Sequence, residues 1–133
     1  MSERVYSVWE NDIYREWVDG RLTREFHSRN GPMRNWYGNG QLQSEGNLVN
    51  GRVEGVKREW HENGALAREI PYKNGRINGL VRQWNPEGIL LGTCQLQNGL
   101  GHWREWYDDG RLRGEMEWFD DRNGPRISDR VLS

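Results

Sequence analysis

The chain has 133 residues, 34% of them hydrophobic, and its 19 basic and 20 acidic side chains leave a formal charge of -1. Such a balance excludes a general nucleic-acid binder, which needs a basic surface to displace counterions, and no Lys/Arg block marks an anionic membrane surface. Eight Trp and five Tyr, in a chain of mean hydropathy -1.06, exclude simple disorder, because large rings bury enough area to hold a thin structure together. The length suits one domain. Met1-Ser2-Glu3-Arg4 opens without an apolar leader stretch, and the single cysteine, Cys94, has no internal partner. The expected location is therefore cytoplasmic, in a reducing compartment.

Residues 1–13, with Tyr6 and Trp9, read as an irregular capping end. About five repeats of 20–24 residues follow over residues 14–118. They align on Arg15-Glu16-Trp17, Arg34-Asn35-Trp36, Arg58-Glu59-Trp60, Arg82-Gln83-Trp84 and Arg104-Glu105-Trp106. Each is followed by a glycine (Gly20, Gly40, Gly64, Gly88, Gly110), and two residues later by Leu22, Leu42, Leu66, Leu90 or Leu112. Glu25, Glu45, Glu69, Thr93 and Glu115 come next, and four repeats carry a second turn pair: Asn30-Gly31, Asn50-Gly51, Asn74-Gly75 and Asn98-Gly99. Turn signals this frequent leave room for short strands and not for helices. The expected fold is all-β: an elongated, open-ended single sheet of about ten antiparallel strands in tandem hairpins.

The turns fix a register. Glu62-Asn63-Gly64 suits a three-residue loop with its glycine in the left-handed region, which sets Trp60 opposite Leu66, Lys57 opposite Glu69 and Val56 opposite Ile70. The first repeat is shorter, and a two-residue Asp19-Gly20 turn pairs Val18 with Arg21 and Trp17 with Leu22. Two-residue Asn-Gly turns pair Tyr72 with Ile77 and Leu48 with Val53, and Gly55 and Gly79 fall where the apolar parity changes, as at a bend. The repeat arginines are expected on the tryptophan face, stacked on indoles of adjacent repeats. Residues 119–133 read as the second irregular end.

Trp60-His61-Glu62-Asn63-Gly64-Ala65-Leu66, followed by Asn74-Gly75 and then Gly79, resembles the MORN repeat. It is most similar to the bacterial variant found in antitoxin or immunity-type proteins. The resemblance covers residues 14–118, although repeat one lacks the later glycine, repeat four has Gly101 displaced and repeat five lacks the Asn-Gly pair. It implies stacked hairpins that bind a protein, in the bacterial group a cognate toxin. Eukaryotic relatives imply the alternatives, a self-associating scaffold (a homodimer) or contact with anionic phospholipid.

No enzymatic, metal or cofactor chemistry is expected. His27, His61 and His102 lie in different repeats without ligand spacing. Cys94 takes the place of Ile70 and Met116 and reads as core, while the repeated glutamates read as cross-strand partners of basic residues. A sheet one layer thick cannot bury both faces, so surplus aromatics and the repeat arginines become interface candidates. The candidate partner-binding set is Trp9, Arg34, Tyr37, Arg58, Arg82, Trp103, Arg104, Tyr107 and Trp118.

Overall fold

A computed structural model of the chain describes residues 3–118. The strands are β1 (Val5–Glu10), β2 (Ile13–Val18), β3 (Arg21–His27), β4 (Gly31–Trp36), β5 (Leu42–Val49), β6 (Arg52–Val53) and β7 (Gly55–Trp60), then β8 (Leu66–Lys73), β9 (Arg76–Ile77), β10 (Gly79–Trp84), β11 (Leu90–Gln97), β12 (Leu100–Trp106) and β13 (Leu112–Trp118). They form one antiparallel sheet in the order β1-β2-β3-β4-β5-β7-β8-β10-β11-β12-β13, with β6 on β5 and β9 on β8. The all-β single-sheet expectation is met. The described sheet has 13 strands against the expected ten because β1 is added at the start and because β6 and β9 are cut off at Glu54 and Asn78, just before the positive-φ glycines Gly55 and Gly79.

The first strand lies inside the segment read as an irregular cap. Its hairpin turns at Asn11 (φ 52°) and Asp12 (φ 64°), a left-handed pair built without glycine. The cap expected over residues 119–133 falls outside the described residues. The loop glycines adopt the expected conformation, with Gly64 at φ 90° and Gly88 at φ 84°. The two-residue turns also hold: Val18 faces Arg21, Leu48 faces Val53 and Tyr72 faces Ile77. One glycine was misplaced. Gly31 faces Leu48 as Gly79 faces Leu96, so Gly31 is the later glycine of repeat one and Asn30-Gly31 is not a hairpin turn.

The register beyond each loop differs from the simple count. A one-residue bulge precedes every repeat tryptophan, at Glu16/Trp17, Asn35/Trp36, Glu59/Trp60, Gln83/Trp84 and Glu105/Trp106. Trp60 does face Leu66, but Ala67 is the extra residue, so Arg58 faces Glu69, Lys57 faces Ile70 and Val56 faces Pro71. The expected Lys57–Glu69 and Val56–Ile70 pairs are therefore corrected by one position. The slip matters because side chains alternate between faces. Ile70 passes to the face of Lys57 and Glu59, away from Val56 and Arg58.

On that inner face the pairs Tyr14–Phe26, Phe26–Met33, Lys57–Ile70, Val81–Cys94 and Trp103–Met116 form a row across the strands. The buried core is Ile70, Ile77, Val81, Cys94, Leu96 and Trp103, with Tyr72 and Met116 packed against it. Toward the other end rings replace aliphatics: Tyr14 stacks on Phe26 at 4.9 Å, and Trp9 meets Phe26 edge-on at 5.6 Å.

Hydrogen bonds along both rims tie each repeat to the next. The amides of the Asn-Gly turns are held by the preceding repeat: Asn50 N donates to Asn30 Oδ1 (2.9 Å), Asn74 N to Glu54 Oε2 (2.8 Å) and Asn98 N to Asn78 Oδ1 (2.9 Å). Alongside them, Gly51, Gly75 and Gly99 donate to the carbonyls of Arg29, Val53 and Ile77. At the opposite rim the residue after each of the three middle repeat tryptophans reaches forward. Tyr37 Oη donates to Trp60 O (2.6 Å), His61 Nε2 contacts Trp84 O (2.9 Å) and Asn85 Nδ2 donates to Asp108 O (3.1 Å). Among the described residues no buried side-chain polar atom lacks a partner.

The indole of Trp106 lies against Gly92, where an added Cβ would sit 2.3 Å from a ring atom. Gly92→Ala should therefore lose about 1–3 kcal/mol of stability in denaturant melts. Gly38→Ala, with nothing within 4 Å of the new carbon, should change it by less than about 0.5 kcal/mol. Equal melts for the two variants would contradict this packing.

Candidate binding surface

The bulge aligns the charged residues of the outer face into one stripe. Cross-strand neighbours run Arg15–Glu25, Glu25–Arg34, Arg34–Glu45, Glu45–Arg58, Arg58–Glu69, Glu69–Arg82 and Arg82–Thr93, with Arg104–Glu115 at the far end. Arg15 Nε donates to Glu25 (2.8 Å), Arg34 Nε to Glu45 (2.7 Å), Arg58 Nε to Glu69 (3.0 Å) and Arg104 Nε to Glu115 (3.0 Å). Glu25 also takes Arg34 Nη1 at 3.7 Å, so one carboxylate bridges two guanidiniums. Exposed pairs of this kind contribute about 0.2–1 kcal/mol each. Their larger effect is to hold the arginine heads in place on an open surface. Val56 and Leu80, 43% and 37% exposed, stand two residues before Arg58 and Arg82 and so lie beside the stripe.

The inner face has a different character. Its polar row runs Glu16, Arg24, Asn35, Ser44, Glu59, Arg68, Gln83 and Gly92. Most of it lines a groove of about 410 Å³, together with Trp60, Trp84 and Trp106. Arg68 crosses this groove. It pairs with Glu59 (3.2 Å), comes within 3.9 Å of Glu105 and lies 5.3 Å from the Trp103 ring. Strands β8 and β12 are three spacings apart, about 14 Å on a flat sheet, so these contacts require the face to curl inward.

The candidate residues divide accordingly. Arg34, Arg58, Arg82 and Arg104 share the outer stripe, and their predicted stacking on repeat indoles is corrected. Among the described residues, the arginines over rings are Arg24 on Phe26, Arg68 on Trp103, and Arg111 and Arg113 on Tyr107. The glutamates capture the stripe guanidiniums instead. Trp103 is 5% exposed and belongs to the core, so its ring is not presented to a partner. Tyr37 is a rim ligament: burial, then Glu62 and Glu59, raise its hydroxyl pKa and keep it a donor. Trp9 (56% exposed) and Tyr107 (40% exposed) stand at separate ends of the sheet. The Trp118 side chain lies outside the described residues.

Two features of the surface escaped the sequence reading. Val56 and Leu80 were hidden by the bulge. Arg82 was grouped with the other arginines although Thr93 replaces its glutamate, a break visible in the repeat alignment.

A hairpin-repeat sheet with rim-to-rim ligaments and an ordered polar face defines an open-ended binding module. Residues 29–50, 53–74 and 100–121 each match the MORN repeat variant, so the chain carries MORN-type repeats. The matches coincide with the β4–β5, β7–β8 and β12–β13 hairpins; β2–β3 and β10–β11 share the same bulge without being matched. No curated protein matches the chain. A crystal structure of TarM has a TM-score of 0.43 and 12% identity over 67% of this chain, which spans 19% of the TarM chain.

Burial raises the pKa of the Cys94 thiol above its ordinary 9.0 and of the Tyr72 hydroxyl above 10.0. Both groups favour the fold while protonated. Their contribution is complete below the unfolded-state values and lost as pH rises through the folded ones. Melting temperature should therefore fall as pH rises past these ordinary values, and that of the Cys94→Ala/Tyr72→Phe double variant should fall less. An identical fall would contradict the assignment.

Proposed function

We propose that this chain is a non-catalytic module that binds another protein, and more specifically an antitoxin or immunity-type protein of the cytoplasm that neutralises a partner toxin by covering it. The observation that carries the binding reading is the outer stripe, where arginine heads are held by cross-strand glutamates beside exposed Val56 and Leu80. Arginines fixed before contact lose less freedom on binding, and arginine is prominent among residues that dominate interface energy. Alternating sign favours a partner with its own pattern of charge over a uniformly anionic polymer or lipid. The antitoxin refinement is supported by the resemblance to the bacterial repeat variant. The lone Cys94, buried and unpaired, suits a reducing cytoplasm.

A second reading, a scaffold that self-associates, is favoured by the free edge at β1. There Val5, Tyr6 and Trp9 are 61%, 65% and 56% exposed.

The test is to purify the tagged chain from its native cells and identify what stays bound. The expected partner is a stoichiometric protein that arrests growth alone and not when co-expressed with this chain. Arg34→Gln/Arg58→Gln should keep the native melt within about 0.2–1 kcal/mol per lost pair and weaken that complex at least about tenfold. Recovery of the chain alone, sedimenting as a concentration-dependent dimer, would favour the scaffold.

A further inference from the structure

The outer stripe has one gap. In every other repeat the position across from the arginine holds a glutamate, and in the fourth it holds Thr93. Continuing the β11–β12 hairpin count, with Leu96 opposite Gly101, brings Thr93 beside Arg104. Thr93 thus faces exposed Arg82 on β10 and, by that count, has exposed Arg104 of β12 on its other side, the arrangement that Glu25 has with Arg15 and Arg34. Arg104 is satisfied on its far side by Glu115 at 3.0 Å. Among the described residues Arg82 forms no ion pair, because Glu69 is taken by Arg58 at 3.0 Å.

The geometry points to a carboxylate docking site at Thr93: a glutamate or aspartate of the protein partner enters between Arg82 and Arg104 and completes the ladder. Glu25 is the template, since it shows within this chain that a carboxylate at the equivalent position bridges two guanidiniums, at 2.8 and 3.7 Å. The shorter threonine leaves that place open to a group from outside. Leu80, 37% exposed and two residues before Arg82, gives the arriving residue an apolar neighbour. Of the two arginines, Arg82 supplies the uncommitted charge, and two donors in a fork favour a planar carboxylate.

This site deepens the protein-binding reading and rests on it, but it is testable without the natural partner. The probe is the capped peptide acetyl-Leu-Glu-Leu-amide, titrated into uniformly ¹⁵N-labelled protein while the arginine Nε–Hε resonances are followed. The expected result is a saturable shift of Arg82 and Arg104, little change at Arg34 and Arg58, and no response to acetyl-Leu-Gln-Leu-amide. Thr93→Glu should fold normally, because four repeats already carry that residue, and should abolish the shift; Arg82→Gln should weaken it at least tenfold. Uniform shifts of all stripe arginines, or an unchanged response in Thr93→Glu, would overturn the site. So would a response to phosphatidylserine vesicles without one to the peptide, which would assign the arginines to a lipid headgroup. A captured partner that binds Thr93→Glu as tightly as the natural chain overturns this site and leaves the binding reading standing. No captured partner, together with the expected peptide response, sustains the site and removes that reading.

Discussion

A single extra residue after each tryptophan-facing leucine governs how this sheet presents its side chains. Without the bulge, Lys57 would face Glu69 and Ile70 would share a face with Val56. With it, Arg58 meets Glu69, and Ile70 joins Lys57 and Glu59. The displacement recurs in all five repeats, so its effect accumulates into two rows. One face carries the Arg–Glu stripe, and the other carries the apolar row from Tyr14 to Met116. A bulge bends its strand and increases local twist, which agrees with the inward curl that lets Arg68 reach Glu105 across β10 and β11.

A sheet one layer thick has no second layer to supply a core, so its cohesion must come from elsewhere. The apolar cluster is confined to the strands from β8 onward, and the aromatic group of Trp9, Tyr14 and Phe26 serves the other end. Between them the repeats are joined by main-chain pairing and by the two rims of side-chain hydrogen bonds. Each ligament reaches only the adjacent repeat, 20 residues away at one rim and 23 at the other. Stability of this kind is the sum of local repeat terms and nearest-neighbour terms. The terminal repeats must then differ from the rest, as β1 does with its glycine-free turn.

Much of this was legible in the sequence, and the reasons for the exceptions are specific. Turn chemistry is local, so Gly64, Gly88 and the Asp19-Gly20 turn were readable from residue type alone. The Trp60–Leu66 pair followed, because it lies inside the loop's own reach. Pairs beyond Ala67 did not, because a bulge inserts a residue without any turn signal. Gly31 was assigned to the wrong turn because an Asn-Gly dipeptide looks the same whether it closes a hairpin or opens a strand. Asn11-Asp12 was missed for the opposite reason: two residues that merely tolerate positive φ did the work usually given to glycine. The candidate surface was half legible. The stripe arginines are visible as a repeated residue, but an aromatic outside the repeat gives no sign of its burial, and Trp103 is covered by Arg68 and the core.

The repeats agree where the fold needs them to and differ where neighbours need something particular. Gly92 departs from Arg68 and Ser44 at the same register because the Trp106 indole occupies the space a side chain would take. That departure is explained by packing within the chain. Thr93, the next residue, is not: its side chain projects to the other face, where Arg82 and Arg104 stand exposed and a glutamate would find ready partners. A fold optimised only for itself would place a carboxylate there, as it does at Glu25, Glu45, Glu69 and Glu115. The loss of that charge leaves Arg82 available, and an available, ordered cation beside an exposed leucine is a feature that benefits a complex more than an isolated sheet.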